Sequence, residues 1–336
     1  MTTATLDRIL ALLVLAMAGT GLASLRVGSP DGSWLFVAHG VIGGSLAVAV
    51  ALKLVRSVPP ALARRSIRRL AISLVVSFVA VAALAGGLLW VASGRRLEVG
   101  GWTVLTLHAW AGLVLVPLVV VHLVPRRWRL LRPGSRARSS SRGRPIPRRS
   151  VLAAGGLLAA GGAIALAADR LDAIRGGQRR FTGSRELPAG GIPPTTTFFG
   201  EPTPEVDLAA WRLAVSGRVA RPGSWSLDEL IALGSTDLTA ILDCTSGWWI
   251  ETGWRGVPLR TLLATAGASA EARRVTVRSV TGWSAQLPID EAAGCLLATA
   301  VAGGPLPAGN GAPLRLVAPD RRGLDWVKWV DRIEVA

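Results

Sequence analysis

The chain has 336 residues, half of them hydrophobic, with a mean hydropathy of +0.44 and only 18 % charged side chains. Its net charge of +17 sits entirely in the first half: residues 1–168 carry 20 Lys and Arg against 3 Asp and Glu, and residues 169–336 carry 18 of each. Basic residues interleaved with long apolar runs mark membrane loops and argue against a soluble nucleic-acid binder. Two cysteines, Cys244 and Cys295, are too few for a disulfide framework. The composition describes a membrane protein with a soluble half.

Five apolar stretches approach the roughly 20 residues needed to cross a bilayer. They run over 8–26, 34–56, 70–93, 103–125 and 151–168, the last being short and rich in Ala and Gly. The segment after the second holds Lys53, Arg56, Arg64, Arg65, Arg68 and Arg69, and residues 126–150 hold ten Arg among Ser, Pro and Gly. The other loops carry few charges, so the positive-inside rule predicts a cytoplasmic N-terminus and puts residues 169–336 outside. Trp34, Trp90 and Trp102 near the outer ends, with Trp128 near the inner end, fit an aromatic belt. The predicted organisation is an all-α transmembrane bundle of four helices over 1–125, then a cytoplasmic Arg-rich linker over 126–150. A fifth anchor over 151–168 and an irregular arm over 169–194 lead to a mixed α+β domain over 195–336.

The three histidines, His39, His108 and His122, all lie in the apolar stretches. Ionisable side chains there are rare and mark function. His39 and His108 sit at similar depth near the outer face, because both of their helices run inward. His122 follows His108 by fourteen residues, which is about 320° of rotation and roughly 21 Å of rise. The spacing resembles the four-helix b-type cytochromes, in which histidines on facing helices hold haems stacked across the membrane. That resemblance implies a haem b ligated by His39 and His108. On the inner side the position matching His122 is Lys53, so a second haem lacks a ligand there. The alternative is that these imidazoles cap helix ends or bond nearby carbonyls. Farther on, Pro147-Arg148-Arg149-Ser150-Val151-Leu152 resembles a twin-arginine export signal placed inside the chain, although positive-inside charge alone gives the same pattern.

Beyond residue 195, short β-like runs at 211–217, 239–243, 274–279, 314–318 and 327–335 alternate with turns, and short helices fit at 227–233, 258–266 and 289–297. About 140 residues suffice for a core, and the absence of a Gly-rich phosphate loop after a strand excludes Rossmann and P-loop folds. Cys244 ends a predicted strand in Asp243-Cys244-Thr245-Ser246-Gly247-Trp248. Trp254-Arg255-Gly256-Val257-Pro258-Leu259 follows. Far downstream come Asn310-Gly311-Ala312-Pro313-Leu314-Arg315-Leu316-Val317-Ala318-Pro319 and Trp326-Val327-Lys328-Trp329.

These motifs, in this order, are similar to the molybdopterin-binding domain of the sulfite oxidase family, and most like its bacterial members, which include periplasmic sulfoxide reductases. The resemblance implies that Cys244 is the thiolate ligand of molybdenum and that Asn310 and Arg315 bind the pterin and its phosphate. Ser279 corresponds to a hydroxyl at the cofactor. Trp326, Val327 and Lys328 correspond to a segment that approaches the pterin, and Phe198 and Phe199 to an aromatic arm. Cys295 matches no family site and reads as core. Where true sulfite oxidases have an Arg-rich stretch after the ligand Cys, this chain has Thr245 to Trp248. Arg255, Arg321 and Arg322 remain as candidates for an anion site, and the substrate stays open between sulfite and a sulfoxide.

What the resemblances imply together is a membrane-anchored molybdenum oxidoreductase performing oxo transfer on a small substrate outside the cytoplasm. Electrons would pass through the haem to or from a quinone or a soluble c-type carrier; lipid is the other partner, and nucleic acid is not one. Two readings from other classes stand beside it: a non-catalytic tethered binding or assembly module that keeps the fold, and a transport component using the histidines as a proton relay.

Overall fold

A computed structural model describes residues 3–63, 67–131, 148–196 and 202–336. The predicted aromatic arm at Phe198 and Phe199 and most of the Arg-rich linker, residues 132–147, lie outside the described residues. Contacts divide the chain into two units, Met1–Ser24 with Asp31–Gly183 and Leu25–Pro30 with Ser184–Ala336.

The first unit consists of five long helices, α1 Thr3–Ser24, α2 Ser33–Ala63, α3 Ile67–Ala92, α4 Val104–Leu131 and α5 Arg148–Ile174. Each contains a segment long and apolar enough to cross a membrane. Runs this apolar carry no side-chain partners for their backbone, and a helix satisfies the N–H and C=O groups within the segment itself. A two-residue hairpin, β1 Glu98–Val99 and β2 Trp102–Thr103, joins α3 to α4. Helix α2 packs along α1 and α5, and α3 along α4. Where α2 meets α5 there is no room for side chains: a Cβ on Gly161 would lie 2.5 Å from the Ser45 nitrogen and closer still to the Val41 carbonyl oxygen. Small residues permit this close approach, which supplies packing where lipid offers no hydrophobic drive.

Two expectations need correction here. The fifth helix runs over Arg148–Ile174, beyond the apolar stretch 151–168, so the arm expected over 169–194 begins as helix. Its end is set by Gly176 in the left-handed region, φ 72°, with the Gly177 N–H on the Asp172 carbonyl at 2.9 Å, a glycine C-terminal cap that hydropathy does not register. Trp90, assigned to the aromatic belt, is instead 1 % exposed and donates its indole N–H to the Gly183 carbonyl at 2.9 Å.

The second unit holds two sheets and three short helices. The strands are β3 Arg185–Glu186, β4 Leu213–Gly217, β5 Gly223–Trp225, β6 Thr236–Cys244, β7 Trp248–Pro258, β8 Arg274–Ser279, β9 Ser284–Pro288, β10 Leu296–Val301, β11 Gly304–Pro305, β12 Arg315–Val317 and β13 Val330–Val335. One sheet runs β5-β4-β13-β8-β9. The other runs β11-β10-β7-β3, with β12 added on β10 and β6 on β7. Helix α6, Leu227–Ala232, starts in a capping box between Ser226 and Glu229. Helix α7 is Leu259–Ala266 and α8 is Ile289–Ala293. The helix expected over 289–297 thus stops at Ala293, because Leu296 to Ala298 form a ladder between β7 and β12. The core between the sheets is built on Leu213, Leu259, Leu262, Leu287, Trp254 and Trp326, the tryptophans 1 % and 2 % exposed and the leucines fully buried.

Candidate active site

The hairpin of β6 and β7 carries Cys244 to the end of its strand. Nine residues pair in unbroken antiparallel register, from Thr236 opposite Gly256 to Cys244 opposite Trp248. The turn closes on Gly247, φ 99°, whose N–H meets the Cys244 carbonyl at 3.0 Å. The Cys244 side chain is half-buried, with Sγ 3.1 Å from the Ser246 hydroxyl. Its neighbour Asp243 is 1 % exposed and accepts from the Ser184 hydroxyl at 2.7 Å and from Arg322 Nη2 at 3.3 Å. Arg322 Nη2 also reaches the Cys244 carbonyl at 3.2 Å. A buried ion pair with further hydrogen bonds holds its geometry tightly, so the strand end that presents the thiol is braced from behind. On the same side Gly323 lies against it, where a Cβ would be 3.3 Å from Cys244 Cα.

A second group gathers around Arg315, the first residue of β12. Its side chain is 3 % exposed, Nη1 donates to the Asn310 carbonyl at 2.7 Å, and the buried Nε has no hydrogen-bond partner among the described residues. The guanidinium stands 5.3 Å from the Trp254 ring centre and 5.9 Å from that of Trp326, and the two indoles pack edge to face at 5.5 Å. The buried Trp254 Nε1 likewise has no partner among the described residues. Burial pushes the Arg315 pKa down to about 10, with attraction to Cys244 opposing the shift.

Around this pair, the Asn310 amide donates to the Pro193 carbonyl at 2.9 Å. The Lys328 ammonium donates to the carbonyls of Thr196 and Gly309 at 2.8 and 2.7 Å. Gly311, φ 114°, admits the close approach of Lys328: a Cβ there would be 3.0 Å from Lys328 Cα and 3.3 Å from Arg315 Cβ. Val327 is buried and accepts at its carbonyl from the Leu316 N–H.

Asn310, Arg315, Trp326, Val327 and Lys328 thus form one cluster, with Cys244 near it. Ser279 ends β8 in the other sheet, opposite Val330. Its hydroxyl serves its own turn, 3.1 Å from Thr281 Oγ1 and accepting from the Thr281 N–H at 3.2 Å. The anion site suggested for Arg255, Arg321 and Arg322 is not assembled, because each has taken a nearby carboxylate: Asp237 for Arg255, Glu291 and Asp325 for Arg321, and Asp243 for Arg322. Sequence reasoning missed Trp254, Asp243 and Ser184. The indole of Trp254 stood within a quoted motif, but its contact with Arg315 joins positions distant in the chain. Cys295 is buried in the core, and desolvation pushes its thiol up to about 12.

In the first unit, His39 and His108 face each other with ring centres 6.1 Å apart and planes at 88°. The His39 Nδ1 bonds the Thr20 hydroxyl at 2.8 Å. That hydroxyl donates to the Ala16 carbonyl at 2.8 Å, so it accepts from the imidazole. The His108 Nδ1 donates to the Ala83 carbonyl at 2.7 Å. Both Nδ1 atoms therefore carry hydrogen, leaving both Nε2 atoms as lone-pair donors. Gly21 and Gly87 abut the rings, a Cβ on each falling 3.4 and 3.0 Å from a ring carbon. His122 lies farther along α4, and Lys53 is paired with Asp7 at 2.5 Å. Among the described residues no group of three or more His, Cys, Asp or Glu side chains could hold a metal ion.

A thiol at a strand end, with a buried guanidinium and a buried indole that each keep an N–H without an acceptor among the described residues, is a donor set that suits a cofactor with a soft metal and an anionic tail. Residues 200–336 match the family model described as the oxidoreductase molybdopterin binding domain. The oxidoreductase YuiH of Bacillus subtilis (strain 168) is 32 % identical over 157 residues, covering 44 % of this chain and 79 % of YuiH. The chain belongs to this molybdopterin-binding oxidoreductase family. The protein-methionine-sulfoxide reductase catalytic subunit MsrP of Xanthomonas campestris pv. campestris is 35 % identical over 144 residues, covering 38 % of this chain and 45 % of MsrP. The chain thus spans about half the length of that relative. Among solved structures, the sulfane dehydrogenase SoxCD of Paracoccus pantotrophus aligns with TM-score 0.38 and 27 % identity over 40 % of each chain.

Proposed function

We propose that the protein is a membrane-anchored molybdenum oxidoreductase that reduces a sulfoxide outside the cytoplasm. The observation that carries this reading is the buried Arg315, whose Nε has no partner among the described residues and whose charge is felt from the Cys244 side. Bound there, the molybdenum–pterin group supplies two-electron oxo transfer. Cys244 is the protein ligand, and the Asp243–Arg322 brace fixes its strand. Arg315 offers a planar fork to the anionic tail and Lys328 a point charge. Asn310 orders the loop that positions both, Trp326 and Val327 line the pterin, and Ser279 shapes the adjoining turn. The substrate class is supported by the names of relatives such as MsrP. In the net change the sulfoxide takes up two electrons and two protons, its sulfur–oxygen bond breaks, and the products are the thioether and one water.

In the membrane, His39 and His108 hold a haem b. Their ring centres, 6.1 Å apart, would let both imidazoles serve one metal. Thr20 and Ala83 fix the tautomers, a common outer support for such ligands, and Gly21 and Gly87 admit the imidazole rings. At the inner position that matches His122, Lys53 is tied to Asp7. A haem held there would supply single-electron transfer, with a quinone or a soluble c-type carrier as the partner. The loop charges favour an inside N-terminus with the catalytic domain outside. Arg148 and Arg149 serve as a twin-arginine signal for a domain that folds around its cofactor before export.

The test is turnover. Chemically reduced, detergent-purified protein reduces methionine sulfoxide with one water formed per two electrons, and Cys244→Ser abolishes the reaction. Oxidation of sulfite with no sulfoxide turnover overturns the substrate class. Absence of both reactions in molybdenum-loaded protein favours the tethered binding module.

A further inference from the structure

The segment Asp320–Trp326, which turns through a 3-10 helix over Gly323–Asp325, abuts the Cys244 backbone at Gly323 and ends in Trp326 beside Arg315. It is tied internally by the Trp326 indole on the Arg321 carbonyl at 3.1 Å and to β8–β9 by the Trp283 indole on the Leu324 carbonyl at 2.9 Å. Further support comes from residues 25–30, which join α1 to α2 in the sequence but belong to the second unit. Three contacts of different kinds make that support. Val27 forms an antiparallel bridge with Arg321. Gly28 lies so close that a Cβ would be 2.7 Å from both the Asp320 carbonyl oxygen and the Arg321 carbonyl carbon. Arg26 Nη1 donates to Asp325 Oδ1 at 2.8 Å.

The last contact matters because Asp325 is 1 % exposed. A carboxylate so buried must be matched by charge and hydrogen bonds. Its other oxygen receives Arg321 at 3.3 Å, a cation shared with Glu291. Arg26 is therefore the closer of the two cations that hold Asp325 in place.

We propose that Arg26–Gly28 is a strap of the molybdopterin-binding domain and that Arg26 is a positioning residue. Through Asp325 it holds the 320–326 segment in the form that keeps Cys244 and Trp326 on the cofactor, itself touching neither cofactor nor substrate. The site is thus completed by a segment encoded more than 150 residues upstream of the domain's own strands. The inference rests on the cofactor site assigned to Cys244 and Arg315.

The test follows molybdenum retention by full-length protein in detergent during dialysis, with melting of the same samples. Arg26→Ala loses metal about tenfold faster than the parent, the effect typical of removing an outer support of a metal ligand, and more than its lowered melting temperature accounts for, since Arg321 still pairs Asp325. Arg26→Lys recovers most of the retention. Gly28→Val, which displaces the strap without touching its charge, reproduces the loss. Asp325→Asn combined with Arg26→Ala is no worse than Asp325→Asn alone. Arg218→Ala, which breaks an exposed pair with Glu271, has no effect. The strap is refuted if Arg26→Ala keeps metal at the parental rate, or if metal loss in all variants merely tracks lowered melting temperature. A parent protein that takes up no molybdenum overturns the site assignment and the strap together.

Discussion

Replacing Arg315 with Met separates cofactor binding from folding. Arg315 is 3 % exposed, and burial lowers its pKa from the usual arginine range to about 10. At about 1.4 kcal/mol per pH unit, the buried cation is about 3 kcal/mol less favourable than in water at neutral pH. That penalty holds below the folded pKa and fades as pH rises through it. Two contacts offset it: the hydrogen bond to the Asn310 carbonyl, about 1–2 kcal/mol, and the cation–π contacts with Trp254 and Trp326, up to about 2 kcal/mol. The terms nearly cancel, and Met is an adaptable apolar side chain that fills irregular space. Cofactor-free Arg315→Met is therefore expected within about 1 kcal/mol of the parent, a melting shift of roughly 2–4 °C for a unit of this size. Molybdenum and pterin retention should nevertheless collapse. Tryptophan fluorescence melts of cofactor-free protein, beside metal analysis of loaded protein, check both halves. A stability loss above about 3 kcal/mol, or normal metal content in the variant, would show that Arg315 is a structural residue and refute the reasoning.

Asp243→Ala strands Arg322 as a buried cation without its carboxylate and should cost about 3–5 kcal/mol in denaturant unfolding of the second unit. Thr20→Val removes the oxygen that accepts from His39 Nδ1; haem titration should show affinity weakened about tenfold, and His39→Ala should remove the haem bands. Gly161→Leu meets the Val41 carbonyl at a position with no free space and should lower the detergent melting temperature, at a cost of about 1–3 kcal/mol from overpacking. Changing Arg148 and Arg149 to Lys should leave the first four helices inserted and shield the catalytic domain from protease added outside.

Much of the second unit was legible because its strands alternate buried and exposed positions. Arg274–Ser279 was read with its observed bounds, and Cys244 was read as a strand end, which the hairpin register shows it to be. Strand β7 was missed: its tryptophans and glycines read as motif letters, although Trp248, Ile250, Thr252, Trp254 and Gly256 alternate in burial along it. The arginine sites failed for another reason. Composition locates charge but does not say which carboxylate a guanidinium will find, and Arg321 and Arg322, adjacent in sequence, turn to different partners. The supports of the site are long-range pairs such as Ser184 with Asp243 and Arg26 with Asp325, and no local pattern announces them. In the helical unit, His39 and His108 were paired from helix direction alone, and their rings lie edge to face with centres 6.1 Å apart. The hydrogen bonds that set their tautomers depend on Thr20 and Ala83, whose residue types carry no such signal.

The most direct test of the central claim is metal analysis of detergent-purified protein, with its visible spectrum before and after dithionite, for the parent and Cys244→Ser. The account predicts near-stoichiometric molybdenum and one reducible b-type haem in the parent, with molybdenum lost and haem kept in the variant. Molybdenum that persists in Cys244→Ser, or a parent prepared in a cofactor-competent host with no molybdenum at all, would contradict it.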